Sequence, residues 1–204
     1  MRTYSETIFH IEAPEINSRL SEMGLTREGL VRTVHAAVVE RNNATDLHPS
    51  NAAGTFSYHH GVAAIRREFL GDLWKIDRQD GIESIKNDDL QIKISFSNVD
   101  EACGFNYPKP RSEKGAGAER AGGAMLFDDL KSFAPIAKGG FSLFYLMVDD
   151  CGRAELTRPV IEKKTFTAAI ERIFLIREVV DIELLMHLDA NDVADGFEPE
   201  IVRK

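Results

Sequence analysis

Apolar positions recur with two different periods along this chain. Behind Thr26, a residue type that caps helix N-termini, Leu30, Val31, Val34, Val38 and Val39 fall at helical spacing. This pattern predicts a helix from about Thr26 to an exit at Arg41-Asn42-Asn43. Residues 43–54 read as a loop. A second helix is predicted over 56–69, with Tyr58, Val62, Ile65 and Phe69 on one face. Upstream, Pro14 and Asn17 suggest a loop running into a short helical turn.

The period then drops to two. Leu90, Ile92, Ile94 and Phe96 alternate with Gln91, Lys93, Ser95 and Ser97, which predicts a half-buried strand with its polar side toward solvent. With an extended stretch at 82–86 and a turn at Asn87-Asp88-Asp89, it predicts a hairpin of 82–86 and 90–98. Phe141 to Val148 is a second strand with a continuous apolar run. Asp149-Asp150-Cys151-Gly152 is a turn, and 153–161 returns. Pro159 cannot donate to a ladder, so that strand is expected at an edge or with a bulge. Such an edge would let two copies pair as a homodimer. Residues 165–188 fit either one long helix or a strand followed by a helix, and of these a strand near 169–176 with a helix near 179–188 is the favoured expectation.

Helices first and mostly antiparallel strands afterwards predict an α+β fold. N-terminal helices would pack on one face of a sheet of about five strands. No break divides the chain, so 1–204 is expected to be a single domain. It carries a Gly-rich basic loop at about 104–123, with a short helix reaching Phe133, and an acidic tail at 189–204.

Charge changes this picture in one respect. The net charge is −8, and the stretch from Glu178 to Glu200 holds eight acids without a Lys or Arg. The remainder is balanced, so the body is not a general polyanion binder. No run of about 18 apolar residues is present to span a bilayer, and no apolar stretch follows Met1-Arg2-Thr3. With two cysteines, Cys103 and Cys151, expected as free thiols, a cytoplasmic location is expected.

Five features carry candidate chemistry. The loop 108–120 places Lys109, Arg111, Lys114 and Arg120 among glycines, which suits phosphate, nucleic acid or an acidic protein surface. It matches neither the Walker nor the dinucleotide glycine spacing, and the plainer reading is a solvated loop. Two turns, at Val99-Asp100-Glu101-Ala102-Cys103-Gly104 and Val148-Asp149-Asp150-Cys151-Gly152, repeat acids, Cys and Gly; hairpin chemistry explains them without zinc. Asp80, Asp88 or Asp89, Gln91 and Lys93 cluster around the 80–93 hairpin as in a metal-dependent phosphodiester hydrolase, though Gln91 is a poor Mg²⁺ ligand. His59-His60 point about 100° apart on a helix and are read as structural, one flanking the buried face. The acidic C-terminal stretch fits a basic partner surface.

No nucleophile–base pair, ligand cluster or phosphate loop stands out, so neither a cofactor nor a metal is expected. The leading expectation is a non-enzymatic binding or accessory protein, such as a bacterial or phage inhibitor, acting on another protein. Nucleic-acid or phosphate binding through 108–120 comes next, and a hydrolase at the hairpin third.

Overall fold

The computed structural model describes residues 7–122 and 140–178. Seven strands form one mixed sheet. They are β1 (Ile8–His10), β2 (Lys75–Asp77), β3 (Ser84–Asn87), β4 (Ile92–Asn98), β5 (Ser142–Val148), β6 (Ala154–Glu162) and β7 (Thr165–Ile176), in spatial order β1-β7-β6-β5-β4-β3-β2. The pairs β1·β7 and β4·β5 are parallel and the other four antiparallel. Helices α1 (Ala13–Glu22), α2 (Arg27–Asn42) and α3 (Ala52–Phe69) precede β2, and α4 (Ala116–Gly122) lies between β4 and β5.

The α+β class stands, but two of its expected details are corrected. Among the described residues the sheet has seven strands rather than five. The two extra strands, β1 and β2, are three residues long, too short for a period of two to register in sequence. Helices are not confined to the N-terminus, since α4 packs against β5 and β6. Pro14 sits in the first turn of α1, where its missing N–H costs nothing, so the expected short turn is a ten-residue helix. Likewise α3 begins at Ala52, four residues earlier than the apolar spacing suggests.

Other expectations hold. Thr26 caps α2, its hydroxyl accepting from the Gly29 N–H at 3.2 Å. The hairpin is present as β3·β4. The ladder to β7 slips at Arg158/Pro159, and the β5 ladder ends at Thr157, so Pro159 sits at a bulge. Residues 153–161 are not an edge, however: β6 lies between β5 and β7, and the outer strands are β1 and β2. The helices expected over 179–188 and on to Phe133, and the acidic tail, lie outside the described residues.

One face of the sheet is a conventional core. Ile85, Ile94, Phe96, Phe144, Leu146, Leu156 and Ile173 pack beneath Leu20 of α1, Leu30 and Val34 of α2, and Ile65 of α3. Gly61 lets α3 approach so closely that a Cβ there would lie 2.5 Å from the Phe96 ring. Strand β5 alternates between this core and a smaller one of Leu143, Tyr145 and Met147 with Ile82, Val99, Ala118, Ile161 and Phe166. Buried on both sides, it shows the continuous apolar run seen in the sequence.

The opposite face differs in kind. One rung of paired residues crosses all seven strands: Asp77, Ser84, Ser95, Tyr145, Thr157, Arg172 and Phe9. All but Phe9 are buried. Lys93, Ser95 and Ser97 of β4 were expected to face solvent; they are buried instead.

Candidate functional site

Buried polar groups of that second face gather in three places. Near β2, the Lys93 ammonium lies 2.7 Å from an Asp77 carboxylate oxygen, which also accepts from Ser84 at 3.0 Å. Near the centre, Lys114 turns inward and donates to the Ser97 hydroxyl at 2.7 Å. At β6 and β7, Arg172 and Glu155 form a pair with both side chains 0% exposed, through contacts of 2.9 Å and 2.6 Å. A carboxylate this deep must have its remaining lone pairs filled. Thr157 supplies one hydrogen bond at 2.6 Å, and the backbone N–H of Cys103 supplies another at 2.6 Å.

This last contact ties the sheet to the segment after β4. The segment leaves and returns through a neck. Val99 and Pro110 form an antiparallel bridge, Asp100 N–H donates to the Lys109 carbonyl at 2.9 Å, and Arg111 N–H donates to the Asn98 carbonyl at 3.0 Å. The Asp100 carboxylate accepts from Lys109 N–H at 2.7 Å. Residues 99–111 are therefore a closed Ω-loop, a compact loop whose ends meet.

Three anchors hold its tip. Asp149 accepts from the Ala102 N–H, Glu155 from the Cys103 N–H, and Arg172 donates to the Gly104 carbonyl at 3.1 Å. Arg172 also lies over the Phe9 and Phe174 rings. Farther on, the Tyr107 hydroxyl meets Thr7 at 3.2 Å. Between these fixed points Phe105 is wholly exposed, at 101%.

The same end of the molecule carries a second bare apolar side chain. Leu47, 97% exposed, lies in the α2–α3 connection. That connection is held to the ends of β4 and β5 on both sides. Arg41 at the end of α2 pairs with Asp150 at 2.6 Å, and Asn98 donates to the Gly54 carbonyl at 2.8 Å.

The four predicted cations do not form one patch. Lys109 is exposed at the neck of the loop. Arg111 stands beside it, and its guanidinium binds Asp150 at 2.7 Å and the Val99 carbonyl at 3.3 Å. Arg120 leaves this end altogether: it lies on α4 and pairs with Asp80 at 2.8 Å, in the 3-10 turn Gln79–Gly81. Lys114 lies beneath the sheet.

The other candidates are also placed. Around the hairpin, Lys93 meets Asp77, which sequence reasoning had not singled out, and Asp88 pairs with Lys86 at 2.8 Å. Gln91 turns back onto the Asp88 carbonyl. The two Cys-containing turns are neighbours, joined by Val99 N–H to the Val148 carbonyl. Their thiols differ: Cys151 is exposed, whereas burial first, and then Glu155, push the Cys103 thiol well above the ordinary range. That raises its cost as a thiolate ligand or nucleophile. Among the described residues no three His, Cys, Asp or Glu side chains converge as a metal site. His59 and His60 are both exposed; the His59 ring lies 6.0 Å from the core-packed Tyr58 ring, and His60 faces Glu40 of α2 at 3.6 Å.

Sequence reasoning missed Phe105, Glu155 and Arg172. Two signals were present: aromatic residues at 105 and 107 in a turn-rich stretch, and charged residues standing between apolar neighbours inside strands. Comparison with family models, curated proteins and solved structures found no match, so the functional reading rests on this geometry. No helix among the described residues is long and apolar enough to cross a membrane.

Proposed function

We propose that this protein is a binding or accessory protein that acts by contact with another protein, through the end of the molecule formed by the Ω-loop 99–111 and the α2–α3 connection. The observation that carries this reading is Phe105, fully exposed on a loop whose flanking backbone is fixed by a buried ion pair. An aromatic side chain on a held backbone loses little freedom on binding, which is what makes such residues effective anchors. Leu47 adds apolar area, and Tyr107, Lys109 and Arg111 supply a polar rim.

The same geometry favours this reading over its rivals. Arg111 and Arg120 are spent on Asp150 and Asp80, which leaves Lys109 to carry most of the loop's attraction for phosphate. At the hairpin, Lys93 is spent on Asp77, and the middle of the polar face offers hydroxyls, which are weaker ligands and bases than carboxylates.

The test is photocrosslinking in cells of origin, with p-benzoylphenylalanine in place of Phe105 and, as control, in place of Lys163 at the opposite end of the sheet. One protein partner joined at position 105, displaced by excess wild-type chain but not by Phe105→Ser, is the expected result. Equal patterns at both positions, or nucleic acid as the crosslinked species, would reject it.

A further inference from the structure

We propose that Lys114 is a carbonyl-capturing amine, seated over the adjoining Tyr145 and Phe166 rings and against the Ser97 hydroxyl, where it forms a reversible imine with a small aldehyde or ketone. This goes beyond contact with a partner, and it uses the middle of the polar face rather than the Ω-loop.

The placement carries the inference. The Lys114 nitrogen lies 4.9 Å from the Tyr145 ring centre and 5.1 Å from that of Phe166, and its hydrogen bond is to a neutral hydroxyl. Among the described residues it makes no ion pair. The two nearest acids along the chain are turned elsewhere: Glu113 binds the Lys164 ammonium at 3.0 Å, and Glu119 accepts from the Lys164 N–H at 2.6 Å. Tyr145, which faces the amine from β5, is held as a neutral phenol by burial and, secondarily, by Tyr58. Lys114 is itself half-buried and the adjoining Gly115 is exposed, with no atom of the described residues within 4 Å of a Cβ position there, so this part of the chain is reached by solvent.

These surroundings make the amine nucleophilic. Burial alone pushes Lys114 down to about 8 from the ordinary 10.5. Relative to an ordinary lysine, that shift raises the neutral fraction at neutral pH roughly 300-fold. Desolvation beside apolar walls is a recognised way to activate a Schiff-base lysine. In the reaction, the nitrogen lone pair attacks the carbonyl carbon as the carbonyl π electrons move to oxygen. A proton passes from nitrogen to that oxygen, with Ser97 placed to relay it, giving a carbinolamine. The C–O bond then breaks, water leaves and the C=N bond forms. Amine plus carbonyl becomes imine plus water, with no redox change.

The test uses the whole wild-type protein. Acetaldehyde with sodium cyanoborohydride traps any imine as an ethylated lysine, and peptide mass spectrometry follows each lysine with time and pH. Lys114 is expected to react at least about tenfold faster than exposed Lys109 at neutral pH, with half-maximal rate near pH 8, an activation within the range attributed to nucleophile tuning. Labelling of Lys114 no faster than of Lys109, or only after denaturation in urea, would overturn the proposal. Neither outcome depends on a variant folding, and neither bears on the crosslinking at Phe105.

Discussion

The two faces of one sheet are built by opposite means. Toward α1, α2 and α3, apolar side chains are buried and oil-like burial does the work. On the other side, an acid, hydroxyls and an arginine are buried nearly as deeply, with Asp77 held by Lys93 and Ser84, and Arg172 by Glu155. The first arrangement is non-directional and yields stability. The second yields little net stability, because desolvating ions offsets their attraction. What it gives is position: the Glu155–Arg172 pair fixes Cys103 and Gly104, and so fixes where Phe105 points.

The largest effect that would break this comparison comes from splitting the pair. Arg172→Ala leaves Glu155 buried and unpaired, with an expected loss of about 3–5 kcal/mol in urea unfolding. Replacing both, as Glu155→Leu with Arg172→Met, should recover most of that stability while leaving the loop tip unanchored. A double variant as unstable as the single one would mean the pair serves the core rather than the loop.

On the apolar face, Gly61→Ala forces a methyl group against the Phe96 ring, which is itself buried. The expected cost is about 1–3 kcal/mol, read by the urea midpoint, with the Ω-loop unaffected.

Lys114 sharpens the contrast through pH. Its folded value, about 8, lies below the ordinary 10.5. Between those values the unfolded chain binds more protons, so stability should rise as pH rises from about 8 to 10.5; below about 8 the penalty of burying the cation is fully present. Lys114→Met should therefore stabilise the protein at neutral pH, by on the order of 2 kcal/mol, and abolish that rise in thermal midpoint.

The smallest effect concerns the turn joining β6 and β7, where Lys163 and Lys164 both have positive φ, 52° and 64°. Two such residues suit a tight hairpin turn that favours Asn-Gly. Lys163→Asn with Lys164→Gly should stabilise by about 0.5–1 kcal/mol, measured by the thermal midpoint.

Local signals made part of this legible in sequence. Thr26 and the spacing behind it gave α2, alternation gave β4, and Pro159 gave the bulge. Strands β1 and β2 were hidden by their length. The alternation of Lys93, Ser95 and Ser97 with Ile92, Ile94 and Phe96 was misleading in an instructive way. It records that the two faces of β4 differ, and it is silent on whether the polar one meets water. The candidate site was less legible still. Lys109 and Arg111 do stand on the Ω-loop, but Lys114 and Arg120 were grouped with them only because sequence shows charge without direction. Glu155 and Arg172 meet across β6 and β7, a pairing that only the register creates.

Amide hydrogen exchange at Cys103 tests the central claim most directly. If Glu155 holds the loop, the Cys103 N–H is protected in the wild type to a degree approaching the β5 amides, and Glu155→Leu with Arg172→Met abolishes that protection while β5 keeps its own. Exchange at Cys103 as fast in the wild type as in an unstructured loop, or protection unchanged by the double substitution, would contradict it.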